Sequence, residues 1–318
     1  MYADVNGVQK VLVAGGGAIG RQIAVSVARC GLDATVYDVD PQALRAAEVA
    51  CRSHVDEPPY ASSAIGTSDL AAQAVATQTV GTMRFTDQPE VAGLDADLLI
   101  EAIPEKIGLK RQVFQQFSQI CPAHTIFTTN TSVLMPSMFV AATGRPSQFA
   151  ALHFIMDSDL IEIMPHSGTD PATITALQKF AERIGHLAIT CRKEQPGHLV
   201  NTMLISLNDA ALTLAANGVA SYEEIDRAWI MATHVDRGPF GLLDLVGLDT
   251  ALEVTNYAAG VTGSKQKRKN AQFLQQFVDQ GRLGMKNGVG FYSYPNPAYQ
   301  DPRFLTQTQS AIGEGVPQ

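Results

Sequence analysis

The chain has 318 residues, a length that suggests about two domains. Apolar residues make up 46% of it and charged residues 17%, with a formal net charge of −8 at pH 7. This composition supplies enough apolar material for a sizeable core, and it excludes a disordered chain. A mildly acidic chain has no overall positive field to hold nucleic acid or an anionic membrane surface, so neither partner is expected.

Apolar runs alternate with helical patterns along the first half of the chain. The runs predict buried strands at Val11–Ala14, Ala34–Tyr37, Asp97–Ile100, Thr125–Thr128 and Phe149–His153. Apolar residues at helical spacing predict helices over Ile19–Arg29 and Lys106–Ile120. Strands that alternate with helices indicate an α/β fold, a doubly wound parallel sheet of the Rossmann type with helices on both faces.

Helical patterns replace the strands after about residue 191, so an all-α second domain is predicted. Gly197–Asn217 is apolar all round and predicts a largely buried helix. Further helices are predicted at Tyr222–Ala232 and Leu242–Ala259, and Trp229 and the methionines are expected in the core. The charged, proline-closed segment 192–196 places the boundary between domains 1–191 and 192–318.

Two segments are predicted to lie outside regular structure. Asp56–Leu70 contains two prolines, a glycine and three serines, a composition typical of a loop or a broken helical hairpin after the second strand. The polar chain from Gln307 onward predicts a loose tail.

The four cysteines are far apart and form no CxxC pair. Free thiols in a cytoplasmic protein are therefore predicted for Cys30, Cys51, Cys121 and Cys191, with no zinc site, no other metal and no disulfide framework. The sequence has no uninterrupted apolar stretch of roughly 18 residues, so no membrane span is expected. The first ten residues lack the charged start and apolar run of a secretory signal, so none is expected.

A glycine-rich turn follows the first strand and opens the first helix. Its pattern, Gly-x-Gly-x-x-Gly, permits a tight turn, close approach of a pyrophosphate and close packing of the helix on the strand. The amino end of the helix then offers free N–H groups to that pyrophosphate. The predicted cofactor-binding residues of the turn are Gly15, Gly17, Ala18, Ile19 and Gly20.

Asp38 lies at the end of the second predicted strand, where this class of site contacts the cofactor ribose. A carboxylate there accepts hydrogen bonds from both ribose hydroxyls and repels a 2′-phosphate. The sequence therefore predicts NAD as the cofactor in preference to NADP.

Several separate runs, in a fixed order, resemble the 3-hydroxyacyl-CoA dehydrogenase family of fatty acid metabolism. They are Ala96–Phe114, Ile126–Leu134, Pro196–Asn201, Gly238–Thr250 and Gly288–Tyr292. The resemblance extends from residue 10 to about residue 295. It implies a dinucleotide domain followed by a helical substrate and dimerisation domain, and a homodimer as the usual assembly.

The resemblance also implies roles for particular residues. His153 matches the catalytic base, and Glu162 matches the carboxylate that orients it. Ser132 and Asn201 match residues that bind the substrate oxygen or hold the site together. Glu105 and Lys110 match positions that line the nicotinamide end of the cofactor groove, and Asn130 is a further expected cofactor-binding residue.

These residue types suit the oxidation of a secondary alcohol. The cofactor takes the hydride, and a histidine that titrates near neutral pH takes the proton. A carboxylate partner fixes the histidine tautomer, and neutral donors stabilise developing oxyanion charge. The remaining histidines are expected on the surface or as packing residues: His54, His124, His166, His186, His198 and His234.

The sequence departs from the family in the loop after His153. The gap from His153 to Glu162 is about three residues shorter than is usual in the family. Met156 replaces the polar residue that is expected at the nicotinamide ribose. A tighter loop would still let Glu162 reach His153. The alternative is that Asp157 or Asp159 takes its place.

A second departure concerns the phosphates of CoA, which need cations. No lysine occurs between Lys10 and Lys106, and the arginines between the second predicted strand and Lys106 are Arg45, Arg52 and Arg84. The basic cluster 265–269 could serve, although a solvated helix start is the preferred interpretation.

Three functions remain open from the sequence. The favoured one is NAD-dependent interconversion of short-chain 3-hydroxyacyl-CoA and 3-oxoacyl-CoA. The alternative is a related enzyme acting on a small free hydroxy acid or a β-keto acid or ester. The third is a cofactor-binding protein without catalysis, such as a lens crystallin recruited from this fold. It is disfavoured because the four expected catalytic residues are present: His153, Glu162, Ser132 and Asn201.

Overall fold

The computed structural model describes residues 7–55, 80–156 and 158–306. The Pro/Ser-rich segment 56–70 and the tail from Gln307, whose structures were predicted above, lie outside these residues. The chain divides into two compact units, Met1–Thr202 and Met203–Gln318. The predicted domain boundary at residues 191/192 stays a prediction. No helix among the described residues has the length and apolar character that crossing a membrane requires.

The first unit is built on one sheet with eight strands among its described residues. Their spatial order is β3-β2-β1-β4-β5-β6-β7-β8; the first six strands in this order are mutually parallel, β7 is antiparallel to β6, and β8 is parallel to β7. The strands are β1 (Lys10–Ala14), β2 (Asp33–Tyr37), β3 (Met83–Thr86), β4 (Leu98–Glu101), β5 (Ile126–Thr129), β6 (Phe149–Phe154), β7 (Leu160–Pro165) and β8 (Leu187–Thr190).

Helices pack on both faces of this sheet. They are α1 (Ala18–Arg29), α2 (Pro41–His54), α3 (Pro89–Gly93), α4 (Ile107–Ile120), α5 (Val140–Thr143) and α6 (Pro171–Arg183). Alternate residues of β1 belong to different core clusters, because successive side chains point to opposite faces. Val11 and Val13 share a cluster with Ile23 of α1, whereas Leu12 lies in the cluster that contains Phe114 of α4.

The five predicted strands and the doubly wound arrangement are confirmed, with each strand bound correct to within one residue. The prediction missed β3, β7 and β8. Two of these, β3 and β8, are four-residue strands at the sheet edges with partly exposed side chains, so they carry no continuous apolar run. β7 is buried, but its apolar run is interrupted by Glu162.

The described helices from the end of the first unit onward are α7 (Val200–Ala216), α8 (Tyr222–Thr233), α9 (Pro239–Val246), α10 (Leu248–Thr262) and α11 (Lys265–Val278). Helix α7 crosses the division between the units in its first turn. The single helix predicted at Leu242–Ala259 is wrong. Gly247 has φ +95°, so the chain turns there and starts α10 as a separate helix.

Two burial predictions for the second unit are also wrong. Helix α7 is not largely buried: Asn208, Ala211 and Leu212 are its buried residues, while Met203 is 64% exposed. Trp229 is 37% exposed and lies outside the core. An apolar residue therefore predicts burial poorly here, because helices of this unit present apolar side chains to solvent in the single chain.

Two buried carboxylates tie the second unit together. Asp226 accepts hydrogen bonds from the N–H groups of Phe240 (2.8 Å) and Gly241 (3.0 Å) and from the Tyr292 hydroxyl (2.9 Å). Asp244 accepts from the N–H of Tyr292 at 2.9 Å. Burial raises the pKa of Asp226 to about 6 against these hydrogen bonds. The carboxylates thus hold together two of the sequence runs that carry the family resemblance.

Candidate active site

The glycine-rich turn between β1 and α1 has the shape that a pyrophosphate needs. A Cβ on Gly15, whose φ is +122°, would overlap the carbonyl of Ala102, and a Cβ on Gly20 would overlap the carbonyl of Gly15. A Cβ on Gly17 would have no described atom within 4 Å. Gly15 and Gly20 therefore allow close packing, and Gly17 leaves open space at the amino end of α1, where N–H groups favour an anion.

Asp38 follows β2 and its carboxylate is held by the backbone. Its Oδ2 accepts a hydrogen bond from the N–H of Gly16 at 2.8 Å, and its Oδ1 accepts one from the N–H of Asp40 at 3.0 Å. The Gly16 contact joins the end of β2 to the glycine-rich turn. The carboxylate is thus fixed beside the turn before any ribose binds.

A buried ion cluster connects the carboxyl ends of β4 and β5. Lys110 is 1% exposed, and its Nζ lies 2.7 Å from Oε1 of Glu101 and 3.1 Å from Oε2 of Glu105. The Thr129 hydroxyl donates to the other oxygen of Glu101 at 2.6 Å. Burial raises the pKa of Glu101, although Lys110 opposes that change. Sequence reasoning missed Glu101, although a carboxylate at the end of an apolar strand was the signal.

Glu105 fixes the loop that follows β5. Its carboxylate accepts hydrogen bonds from the Thr131 hydroxyl and from the N–H of Val133 (3.2 Å), which flank the exposed Ser132. Burial alone would raise the pKa of Glu105, but Lys110 and Thr131 lower it overall. The structure therefore places Glu105 where it orients the segment that carries Ser132.

His153 and Glu162 are directly opposite each other on antiparallel strands β6 and β7. The two side chains are buried, and Nδ1 of His153 lies 3.0 Å from Oε2 of Glu162. Directly opposed residues of an antiparallel pair have adjacent side chains, so the shortened loop keeps the contact. The alternative partner Asp157 lies outside the described residues.

Glu162 has a second set of donors. Its Oε1 accepts hydrogen bonds from the N–H groups of Leu199 and Val200, each at 2.9 Å. Burial would raise the pKa of Glu162, but His153 and these two N–H groups lower it overall. The ionised carboxylate makes Nδ1 of His153 the proton-bearing nitrogen, which leaves Nε2 free to accept a proton.

The predicted amide side chains link the loops around His153. Asn130 accepts a hydrogen bond from the N–H of Phe154 at 2.7 Å, which ties the end of β5 to the end of β6. Asn201 donates from Nδ2 to the carbonyl of Ser132 at 3.1 Å. The structure thus brings Asn201 and Ser132 together.

His198 is a neighbour that sequence reasoning left among the packing histidines. It is fully buried, and its ring stacks on that of His153 with centroids 4.8 Å apart. One ring nitrogen each of His153 and His198 and one carboxylate oxygen of Glu162 all lie within 4.8 Å of one another. The signal available in the sequence was its position inside Pro196–Asn201, one of the runs that carry the resemblance.

The turn, the fixed Asp38 and the open space at Gly17 fit a dinucleotide, and a histidine paired with a carboxylate lies in the same unit. The first unit is the NAD-binding domain of a dehydrogenase. Fold and site together define an NAD-dependent oxidoreductase.

Comparison with known proteins identifies the family. Residues 10–195 match the NAD binding domain model of 3-hydroxyacyl-CoA dehydrogenase, and residues 197–294 match its C-terminal domain model. The chain belongs to the 3-hydroxyacyl-CoA dehydrogenase family.

Three relatives illustrate the range of similarity. A probable 3-hydroxyacyl-CoA dehydrogenase of Caenorhabditis elegans is 32% identical over 290 residues, 90% of this chain and 96% of the relative. The solved structure of a diketoreductase has a TM-score of 0.77 at 36% identity, covering 91% of this chain and 99% of that one. The (S)-3-hydroxybutyryl-CoA dehydrogenase of Ralstonia eutropha has a TM-score of 0.73 at 27% identity, covering 91% and 100%.

Proposed function

We propose that this chain interconverts a 3-hydroxyacyl-CoA and a 3-oxoacyl-CoA of short chain length, with His153 as the base. The observation that carries the proposal is the buried hydrogen bond between His153 and Glu162 in a unit built to bind NAD. A histidine with a fixed tautomer and a carboxylate partner suits removal of an alcohol proton. The names of the relatives in Caenorhabditis elegans and Ralstonia eutropha support the substrate class.

In this mechanism the protein moves one proton. Nε2 of His153 accepts the hydroxyl proton of the substrate, while Nδ1–H stays bonded to Glu162, which stabilises the imidazolium. Bound NAD supplies the acceptor for the hydride that leaves the carbinol carbon. Ser132 stabilises the substrate oxygen, and Asn201 holds the loop of Ser132 through its carbonyl. Reduction of the ketone runs the same transfers in reverse.

A second substrate class is favoured by a specific observation, the lack of lysine between Lys10 and Lys106. Without those cations, the phosphates of CoA lose an expected anchor. The similarity to a diketoreductase, whose structure is described for dicarbonyl compounds, points the same way. The candidate substrates are then small free hydroxy acids, or β-keto acids or esters.

One comparison of substrates tests the proposal. NADH oxidation is followed with acetoacetyl-CoA and with an acetoacetate ester at matched concentrations. Faster reduction of acetoacetyl-CoA supports the CoA substrate, whereas faster reduction of the ester selects the second class. No NADH oxidation with either compound would contradict both.

The active assembly is proposed to be a homodimer formed through the second unit. Support comes from large apolar side chains that this unit exposes in the single chain, including Met203 on α7 and Tyr257 and Val261 on α10. Light scattering after size-exclusion chromatography should give twice the chain mass. A monomer at micromolar concentration would contradict the proposal.

A further inference from the structure

The turn before α7 carries an unusual backbone. His198 has φ +51° and follows Gly197 at φ +79°. The left-handed region is uncommon for residues other than glycine, and it persists only where surrounding contacts enforce it. Here the N–H of His198 donates to the carbonyl of Gln195 at 2.9 Å, and its own carbonyl accepts from the Thr202 hydroxyl at 2.6 Å. The turn aims the next two N–H groups at Glu162 and the His198 ring at His153.

The His198 ring is buried, and its nitrogens lack well-formed hydrogen bonds. Neither of its nitrogens makes a hydrogen bond of ordinary length and angle within the part of the chain that the structure describes, although the backbone of Ser132 lies close enough to raise the pKa of His198 against the effect of burial. Its plane makes an angle of 29° with that of His153, which is a stacked arrangement. Buried polar groups without partners are costly and call for an explanation at the site where they occur. Strain and unpaired nitrogens therefore coincide at one residue in contact with the proposed base.

The surroundings assign the proton of this histidine pair to His153. An imidazolium at His153 is stabilised by the carboxylate of Glu162 at 3.0 Å, whereas His198 has no such acceptor. Burial, together with the charge of protonated His153, lowers the pKa of His198 to about 4 against the pull of Glu162. The His198 ring is thus neutral when His153 is charged.

We propose that His198 is a positioning residue for His153. Its neutral ring holds the His153 imidazole in line with Glu162 and presents an aromatic face to the charge that His153 carries after it takes the substrate proton. A cation within about 6 Å of a ring centroid is stabilised by that face. The proton transfer itself rests on the proposed function, whereas the stacking and the protonation of His153 do not.

Two substitutions at His198 distinguish the effect of the aromatic ring from the effect of its nitrogens. His198→Phe keeps an aromatic face, and His198→Leu removes it, while both abolish the unpaired nitrogens and meet the same backbone at φ +51°. The other titratable groups around the pair, Glu162, Glu105 and Cys191, are unchanged in both variants. The two variants are therefore matched controls for each other.

Turnover gives the first readout. His198→Phe should keep kcat within about threefold, and His198→Leu should lose about tenfold or more, because a misaligned base is costly in the transition state. The affinity for NADH should be unchanged in both, and their unfolding midpoints should be similar. His186→Leu, which removes a ring packed edge-on against Phe154, should leave kcat unchanged.

Protonation gives a second readout that needs no turnover. The protein carries carbon-13-labelled imidazoles, and NMR spectra are recorded with EDTA in the buffer. The His153 resonance is the one that is absent from the spectrum of His153→Gln. The pH midpoint of that resonance should fall by about half a unit in His198→Leu and return in His198→Phe. An unmoved midpoint, or equal losses of kcat in both variants, would overturn the role. If no substrate is turned over, the proposed function fails while the titration still decides the positioning role.

Discussion

Replacing Glu162 with glutamine tests how the carboxylate acts on His153. Glutamine keeps one oxygen, and the two N–H groups of Leu199 and Val200 both donate to Oε1. That leaves the amide NH₂ facing Nδ1 of His153, at the place of the present 3.0 Å hydrogen bond. Nδ1 must then accept, so the proton moves to Nε2, the atom that should take the substrate proton.

The expected loss follows from that exchange of tautomers. Removing correctly placed general-base catalysis lowers kcat by about 10²–10⁴. This equals about 3–5 kcal/mol of transition-state stabilisation. The affinity for NADH should be nearly unchanged, because Asp38 and the glycine-rich turn are untouched.

The assay follows NADH absorbance under saturating substrate, with NADH affinity measured separately by fluorescence. Glu182→Gln makes the same chemical change at an exposed position of α6 and should leave kcat unaltered. If Glu162→Gln retains kcat within about threefold, the carboxylate does not set the tautomer and the reasoning is refuted.

Three further outcomes are expected. NADPH should bind at least about tenfold more weakly than NADH, a gap of about 1.4 kcal/mol, because Asp38 repels a 2′-phosphate; equal affinities in a fluorescence titration would remove that role. Lys110→Met should lower the free energy of unfolding in urea by about 3–5 kcal/mol, since Glu101 and Glu105 lose their buried partner; an unchanged midpoint would contradict the cluster. The pKa of His198 is about 4 in the folded chain and 6.5 in its unperturbed state, so protonation favours unfolding as pH falls between these values. Relative to His198→Phe, the native sequence should therefore lose about 3 kcal/mol of stability from pH 7 to pH 4, measured by parallel urea titrations; parallel curves would refute a buried neutral His198.

The sequence was most informative where one local pattern decides the structure. Val11–Ala14, the glycines after it and Asp38 belong to a single continuous segment, so strand, turn and cofactor preference could be predicted together. The failures lie where the decisive contact is remote. Glu101 gained its role from Lys110, nine residues later, and from Thr129 on the neighbouring strand. The split at Gly247 depended on a positive φ that an apolar helical pattern conceals.

The sequence by itself determined five of the eight described strands, the NAD-binding turn and the family, because these depend on residue types at short spacing. Only the tertiary structure decided that Glu162 reaches His153, since antiparallel pairing of β6 and β7 sets residues nine apart directly opposite each other. It also placed His198 against His153 by a left-handed turn 45 residues further along the chain. A net charge of −8 supports only the expectation that nucleic acid and anionic membranes are not partners, whereas the proton chemistry of the site depends on which few buried groups the fold brings within hydrogen-bonding distance.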